Sequence, residues 1–349
     1  MSSKLSNFNP LSSLRILFLA LLGGAITVSI SAQSKSPNQG SGAMPETQRS
    51  FATPKQAADA LIEAAGKYDV SALLQIFGDD GKDLISSADP VQDKNRAQAF
   101  AMKAQEKKAI TIDPKNQSRA ILTVGNDEFP LPVPIVKTAG KWYFDSKRGR
   151  DEILFRRIGA NELDAIQVCR GFVEAQKEYA STVHDDSGIN QYAQKIISTP
   201  GKRDGLYWVN DDGTPGGPVS EPVARALAEG YSPGNSSGYH GYYFKVLKGQ
   251  GSSAPLGQLD YVIEGVMIGG FALVATPAEY RVTGVKTFMV SYDGVVYERD
   301  LGPDSPNIFK NMERYNPDKT WHRTDDQWPP NLFPPGNGLL SADENGRVH

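Results

Sequence analysis

Residues 271–300 read FALVATPAEYRVTGVKTFMVSYDGVVYERD. Phe271–Thr276, Val285–Tyr292 and Val295–Asp300 are short runs rich in β-branched and aromatic side chains, the composition of strands. Tyr292-Asp293-Gly294-Val295 puts Asp-Gly between the last two, the strongest short-range signal for a hairpin. Upstream, Tyr242–Lys248 adds a fourth run. Four such runs predict an antiparallel meander, and a meander needs something apolar to lie on its face.

The chain supplies it from residue 161. Asn161 reads as an N-cap with Asp164 three residues on. Ala165, Ile166, Cys169, Phe172, Val173 and Gln176 then fall on one side of a helix. Cys169 lies in that stripe with no positive neighbour to lower its pKa, so a buried, inert thiol is expected. Between helix and meander, residues 185–241 are loop-rich, with turn signals at Asp211-Asp212-Gly213 and Pro215-Gly216-Gly217-Pro218.

Further back, Arg148–Gly159 (RGRDEILFRRIG) reads as a charged bridge to a first module. That module opens at Thr53-Pro54-Lys55-Gln56, where Thr as N-cap, Pro at the first helical position and Gln at the third make a capping-box start. Ala57, Ala58, Leu61, Ile62 and Ala65 repeat at helical spacing. A short helix over Ser71–Phe77 follows, then Asp79-Asp80-Gly81, then a more polar helix over Asp93–Lys108 with Ala97, Phe100, Ala101 and Ala104 on one face. Arg119–Val124, Pro132–Thr138 and Lys141–Asp145 are strand-like, with a turn at Thr138-Ala139-Gly140. The whole chain is therefore expected to be α+β. Its divisions are residues 51–150 (helices on an antiparallel sheet), 159–315 (a long helix on an antiparallel meander) and a proline-rich loose tail over 316–349.

The first segment is different in kind. Lys4 and Arg15 precede an apolar run over 16–30 (ILFLALLGGAITVSI), and Ser29-Ile30-Ser31-Ala32 supplies small residues for cleavage before Gln33. Residues 1–32 thus read as a secretory signal, with an uncleaved anchor as the rival. Once the signal is cleaved, no stable membrane span is expected. Residues 33–50 are polar and rich in Gly, Pro and Ser, a flexible linker. Export to the periplasm or cell envelope follows. The single cysteine excludes intrachain disulfides.

Of 349 residues, 37 are basic and 40 acidic, giving a net charge of -3. The basic residues are scattered, so no nucleic-acid footprint is seen. The Asp-Gly clusters lack the alternate-residue spacing and distal Glu of a calcium loop. Gly249-Gln250-Gly251 has no third glycine, and no nucleophile elbow, His-Glu-x-x-His pair or phosphate loop occurs. No catalytic, cofactor-binding or metal-ligating residue is picked out.

Four stretches carry a family resemblance: ATPKQAADAL…LLQIFGDDGKDLISSADPV (52–91), GANELDAIQVCRGFVEAQKEYAS (159–181), SGYHGYYFKVLKGQG (237–251) and MIGGFALVATPAEYRVTGVKTFMVSYDGVVYERDLGP (267–303). Together they resemble an exported bacterial family described as a domain of unknown function, number 2950, over roughly Phe51 to Trp321. The resemblance implies export and two halves, and hands over no catalytic residue. The order of elements in 51–150 also resembles the cone-shaped nuclear-transport-factor-two-like fold, which implies a pocket between helices and a curved sheet. The helix at 161–181 and the runs after it are similar to the globular domain of type IV pilins, although the apolar segment lies about 130 residues upstream rather than on that helix.

Two functional expectations follow. The first is a non-catalytic binding or scaffolding protein with an envelope protein as partner, met by a patch of Tyr239, His240 and Tyr242. In that patch the imidazole is a candidate acid or base, and the tyrosines carry both apolar area and a polar tip. The same residues also fit a core-packing strand entry. The second is a small-ligand carrier or hydrolase-type enzyme using the pocket of the N-terminal module. That module contains no histidine, leaving carboxylates such as Asp83, Asp89 or Asp127.

Overall fold

The computed structural model describes residues 48–86, 90–184, 188–220, 223–224 and 238–324. The signal reading (1–32) and most of the linker reading (33–50) lie outside these residues. The first described residue, Gln48, lies three residues before the expected start and is already part of the fold. Gln48 is buried, and its amide donates to the carbonyls of Ile76 (2.8 Å) and Phe144 (2.7 Å).

Helix α1 (Pro54–Lys67) starts as the sequence predicts: Thr53 Oγ1 accepts from the Gln56 backbone N–H at 3.1 Å. The reciprocal bond of the box reaches one residue further back, from the Ala52 N–H to Gln56 Oε1. Helix α2 (Val70–Phe77) is capped by Asp69, and a 3-10 turn over Asp79–Gly81 leads into the short α3 (Lys82–Ile85). Helix α4 runs Pro90–Glu106, starting earlier and ending sooner than expected. The chain then enters β1 (Lys108–Asp113), a strand the sequence reading misses because Lys, Thr and Asp dilute its apolar residues. It is an edge strand and needs little burial. Strands β2 (Asn116–Val124), β3 (Phe129–Pro130), β4 (Ile135–Thr138) and β5 (Lys141–Phe144) complete an antiparallel sheet of order β1-β2-β4-β5, with β3 on β2. Ala139 and Gly140, at φ 48° and 80°, make the tight turn between β4 and β5. Phe51, Leu61, Ile76, Phe100, Leu122, Ile135 and Phe144 are among the buried residues of this first core.

The largest departure from expectation is helix α5. It is a single helix of 34 residues, Ser146–Tyr179, capped by Asp145, and not a bridge followed by a helix at Asn161. The charged stretch is helical because its charges have a helical partner or an outward face: Glu152 and Arg156 bond at 2.8 Å one turn apart, while Ile153 turns inward. Asn161 and Asp164, read as helix-start signals, have tertiary roles. The Asn161 amide donates to the Thr283 carbonyl at 2.8 Å, and Asp164 meets His240. Gly149 lets the helix approach the first module, since a Cβ there would stand 2.6 Å from Val133 Cγ2.

The loop-rich stretch carries β6 (Lys195–Ile197), β7 (Gly205–Val209) and β8 (Pro215–Gly216); β6 and β7 pair in parallel. Then come β9 (Tyr242–Leu247), the small ladders β10 (Gly249–Gln250) with β11 (Leu259–Asp260) and β12 (Val262–Ile263) with β13 (Val266–Met267), then β14 (Ala272–Pro277), β15 (Lys286–Ser291) and β16 (Tyr297–Asp300). Helix α6 (Ser305–Asn311) and β17 (His322–Arg323) finish the described chain. The second sheet has order β17-β16-β15-β14-β9, antiparallel throughout, with α5 against β14 and β15. The expected meander is present, gaining a fifth strand from the segment expected to be a tail: over 316–324 the chain is folded, and Trp321 is buried. Every residue of β14 is buried, which is why FALVAT reads as a continuous apolar run rather than an alternating one. Helices packed on antiparallel sheets make the protein α+β, as expected.

Candidate functional site

The first module holds a partly open cavity of about 90 Å³. Each element contributes the apolar face that its periodicity sets. Leu61 and Ala65 come from α1, Leu73 and Phe77 from α2, Leu84 and Ile85 from α3, and Ala97 and Phe100 from α4. The sheet side brings Val124 from β2, Phe129 from β3, and Leu131, Pro132 and Val133 from the segment before β4; Ile153 comes from α5.

Three charged side chains interrupt this wall: Asp93, Arg96 and Arg156. Asp93 is almost fully buried, and Arg96 Nη1 stands 4.0 Å from its Oδ1. Arg96 is steadied by a hydrogen bond from its Nη2 to Gln92 Oε1. Arg156 is held from three sides. Its Nε donates to Glu152 (2.8 Å), its Nη1 donates to the Pro130 carbonyl (2.7 Å), and its guanidinium carbon lies 5.2 Å from the centre of the Phe129 ring. Asp93 also reaches Tyr68: burial, and then the nearby Asp93 charge, push the Tyr68 phenol above its ordinary value.

Of the carboxylates proposed from sequence for this pocket, Asp83 and Asp127 are not in its lining. Asp83 faces Arg150 at 3.7 Å, and Asp127 is on the surface against Lys103 at 3.3 Å. Asp89 lies outside the described residues. The carboxylate that does line the cavity, Asp93, is missed, although a signal exists: extending the stripe Ala97, Phe100, Ala101, Ala104 back by one turn lands on it.

The second expected site, Tyr239-His240-Tyr242, is divided by the structure. Tyr242 is fully buried, and its hydroxyl donates to the Lys286 carbonyl at 2.9 Å. Burial pushes its phenol far above the ordinary range, so it is a core residue and not part of a surface patch. His240 remains exposed, in a turn where it adopts φ 48° beside Gly241 at φ 75°. Its Nδ1 lies 2.5 Å from Asp164 Oδ2 on α5. The 76 residues between them hid the pair from any spacing rule. Tyr239 is half-buried with its ring 4.3 Å from the imidazole. Burial first, and Asp164 second, raise the Tyr239 phenol. Asp164 thus holds one imidazole nitrogen of a side chain that stays exposed.

Among the described residues no group of three or more His, Cys, Asp or Glu side chains is placed to hold a metal ion, and no helix is long and apolar enough to cross a membrane. Cys169 is fully buried, and desolvation pushes its thiol up to about 12.

No curated protein and no solved structure matches the chain. A family model does match, over residues 48–324. The match starts at Gln48, whose amide joins α2 to β5, and ends at Thr324, whose N–H donates to the Val296 carbonyl at 3.0 Å. It therefore spans both cores and the long helix between them, and the chain belongs to the family described as Protein of unknown function (DUF2950).

Proposed function

We propose that this protein is an exported, non-catalytic binding protein of the bacterial cell envelope, and that its N-terminal module holds a small, mainly apolar ligand. The cavity carries this reading: fourteen of its seventeen lining residues are apolar, with three charged groups among them. That is the make-up of a small-molecule site, where apolar walls supply affinity and a few polar groups supply orientation. A leader of signal type before residue 33 supports export. The test is fluorescence titration with N-phenyl-1-naphthylamine, a neutral apolar probe, against the wild type and Ala97→Leu, which fills the cavity. Saturable enhancement that Ala97→Leu removes supports the reading; enhancement indifferent to the substitution places binding elsewhere.

A second reading, docking of an envelope protein, is favoured by His240, which is exposed yet held by Asp164. Crosslinking in cells should then capture a partner from the wild type and not from His240→Ala. Equal capture by both would remove this surface from consideration.

A further inference from the structure

We propose that the ligand of the N-terminal cavity carries a single anionic headgroup, a carboxylate on a short aliphatic body, and that Arg156 receives it. This rests on the reading of that cavity as a ligand site. The charged groups in the wall are two guanidiniums and one carboxylate. Asp93 is already faced by Arg96. Arg156 meets Glu152 through Nε alone, and Glu152 is the more exposed of the pair, so water screens that carboxylate; the Nη2 group of Arg156 has no hydrogen-bond partner among the described residues and offers an anion a charge-assisted donor. Arg156 is also pre-positioned. Glu152, the Pro130 carbonyl and the Phe129 ring hold its Nε, Nη1 and face, so the side-chain entropy of ordering it is lost before any ligand arrives. A planar guanidinium meets a carboxylate with two parallel hydrogen bonds, a geometry that neither an alcohol nor an amine offers it. The apolar walls from α1, α4 and β2 receive the hydrocarbon part.

Calorimetric titration at pH 7 with hexanoate, hexan-1-ol and hexylamine, on the full chain, tests this. Hexanoate should bind at least tenfold more tightly than hexan-1-ol, and hexylamine more weakly than either. Arg156→Met should bring hexanoate down to the level of the alcohol, with an unchanged far-UV circular dichroism spectrum showing that the variant is folded; Arg156→Lys should recover part of the preference. Equal affinities for hexanoate and hexan-1-ol, a preference for hexylamine, or an Arg156→Met variant that keeps the preference would overturn the headgroup assignment and leave the apolar pocket standing. Failure of all three ligands, with Ala97→Leu indistinguishable from the wild type toward the naphthylamine probe, would overturn both.

Discussion

Gln176 lies on the apolar stripe of α5, fully buried, and both ends of its amide are engaged by one residue. Its Nε2 donates to the Ala193 carbonyl at 2.8 Å, and its Oε1 accepts from the Ala193 N–H at 2.8 Å. Methionine has nearly the same length and shape but no polar partner for either group. In Gln176→Met the N–H and C=O of Ala193, itself buried, lose their partners together. An unpaired buried backbone group costs about 1–3 kcal/mol, two are unpaired here, and the more apolar side chain returns about 1 kcal/mol, leaving a net loss of roughly 1–5 kcal/mol, centred on about 3. Urea denaturation followed by tryptophan fluorescence is the assay, since Trp208 lies beside Tyr179 on the same helix. With a slope of about 2–3 kcal/mol per molar, the midpoint should fall by roughly 1 M at unchanged slope. Gln167→Met, at an exposed position of α5, is the control and should stay within about 0.5 kcal/mol of the wild type. If Gln176→Met also stays within that margin, the bidentate amide is not what holds the 190s loop to the helix, and the reasoning fails.

Two further outcomes are expected. Cys169, buried and with its thiol raised, should have a thiolate fraction of about one in ten thousand at pH 8; it should resist a disulfide reagent in native buffer and react fully in denaturant, and labelling of the native protein at the rate of free cysteine would contradict its burial. Asp204 is raised by partial burial but lowered more by Lys195 (2.9 Å) and by the Thr199 N–H (2.7 Å) and hydroxyl (2.8 Å), so its carboxyl titrates below the ordinary 3.8. A depressed folded pKa means that its stabilising contribution is full above about pH 4 and is lost as pH falls through the folded value. The stability gap between wild type and Asp204→Asn should therefore be constant from pH 7 to pH 5 and narrow toward pH 2; a gap of the same size at pH 2 and pH 7 would refute the ion-pair account.

What the sequence determined by itself was local. The capping box at Thr53, the Ala139-Gly140 turn, the meander strands and the apolar stripe around Cys169 each follow from residues a few positions apart, whose torsions and periodicity need no distant partner. Membership of the family was legible in the same way, from contiguous motifs. The tertiary structure decided whatever joined distant residues. It made Arg148–Gly159 a helix, because Gly149 and Ile153 found the first module. It turned Asn161 and Asp164 from apparent helix-start signals into ties to Thr283 and His240, more than 70 residues away. It buried Tyr242, which alternation alone leaves free to face either side of a sheet. It also brought Asp93, Arg96 and Arg156 to one apolar cavity, because a wall built from five helices and a sheet exists only after those elements have packed.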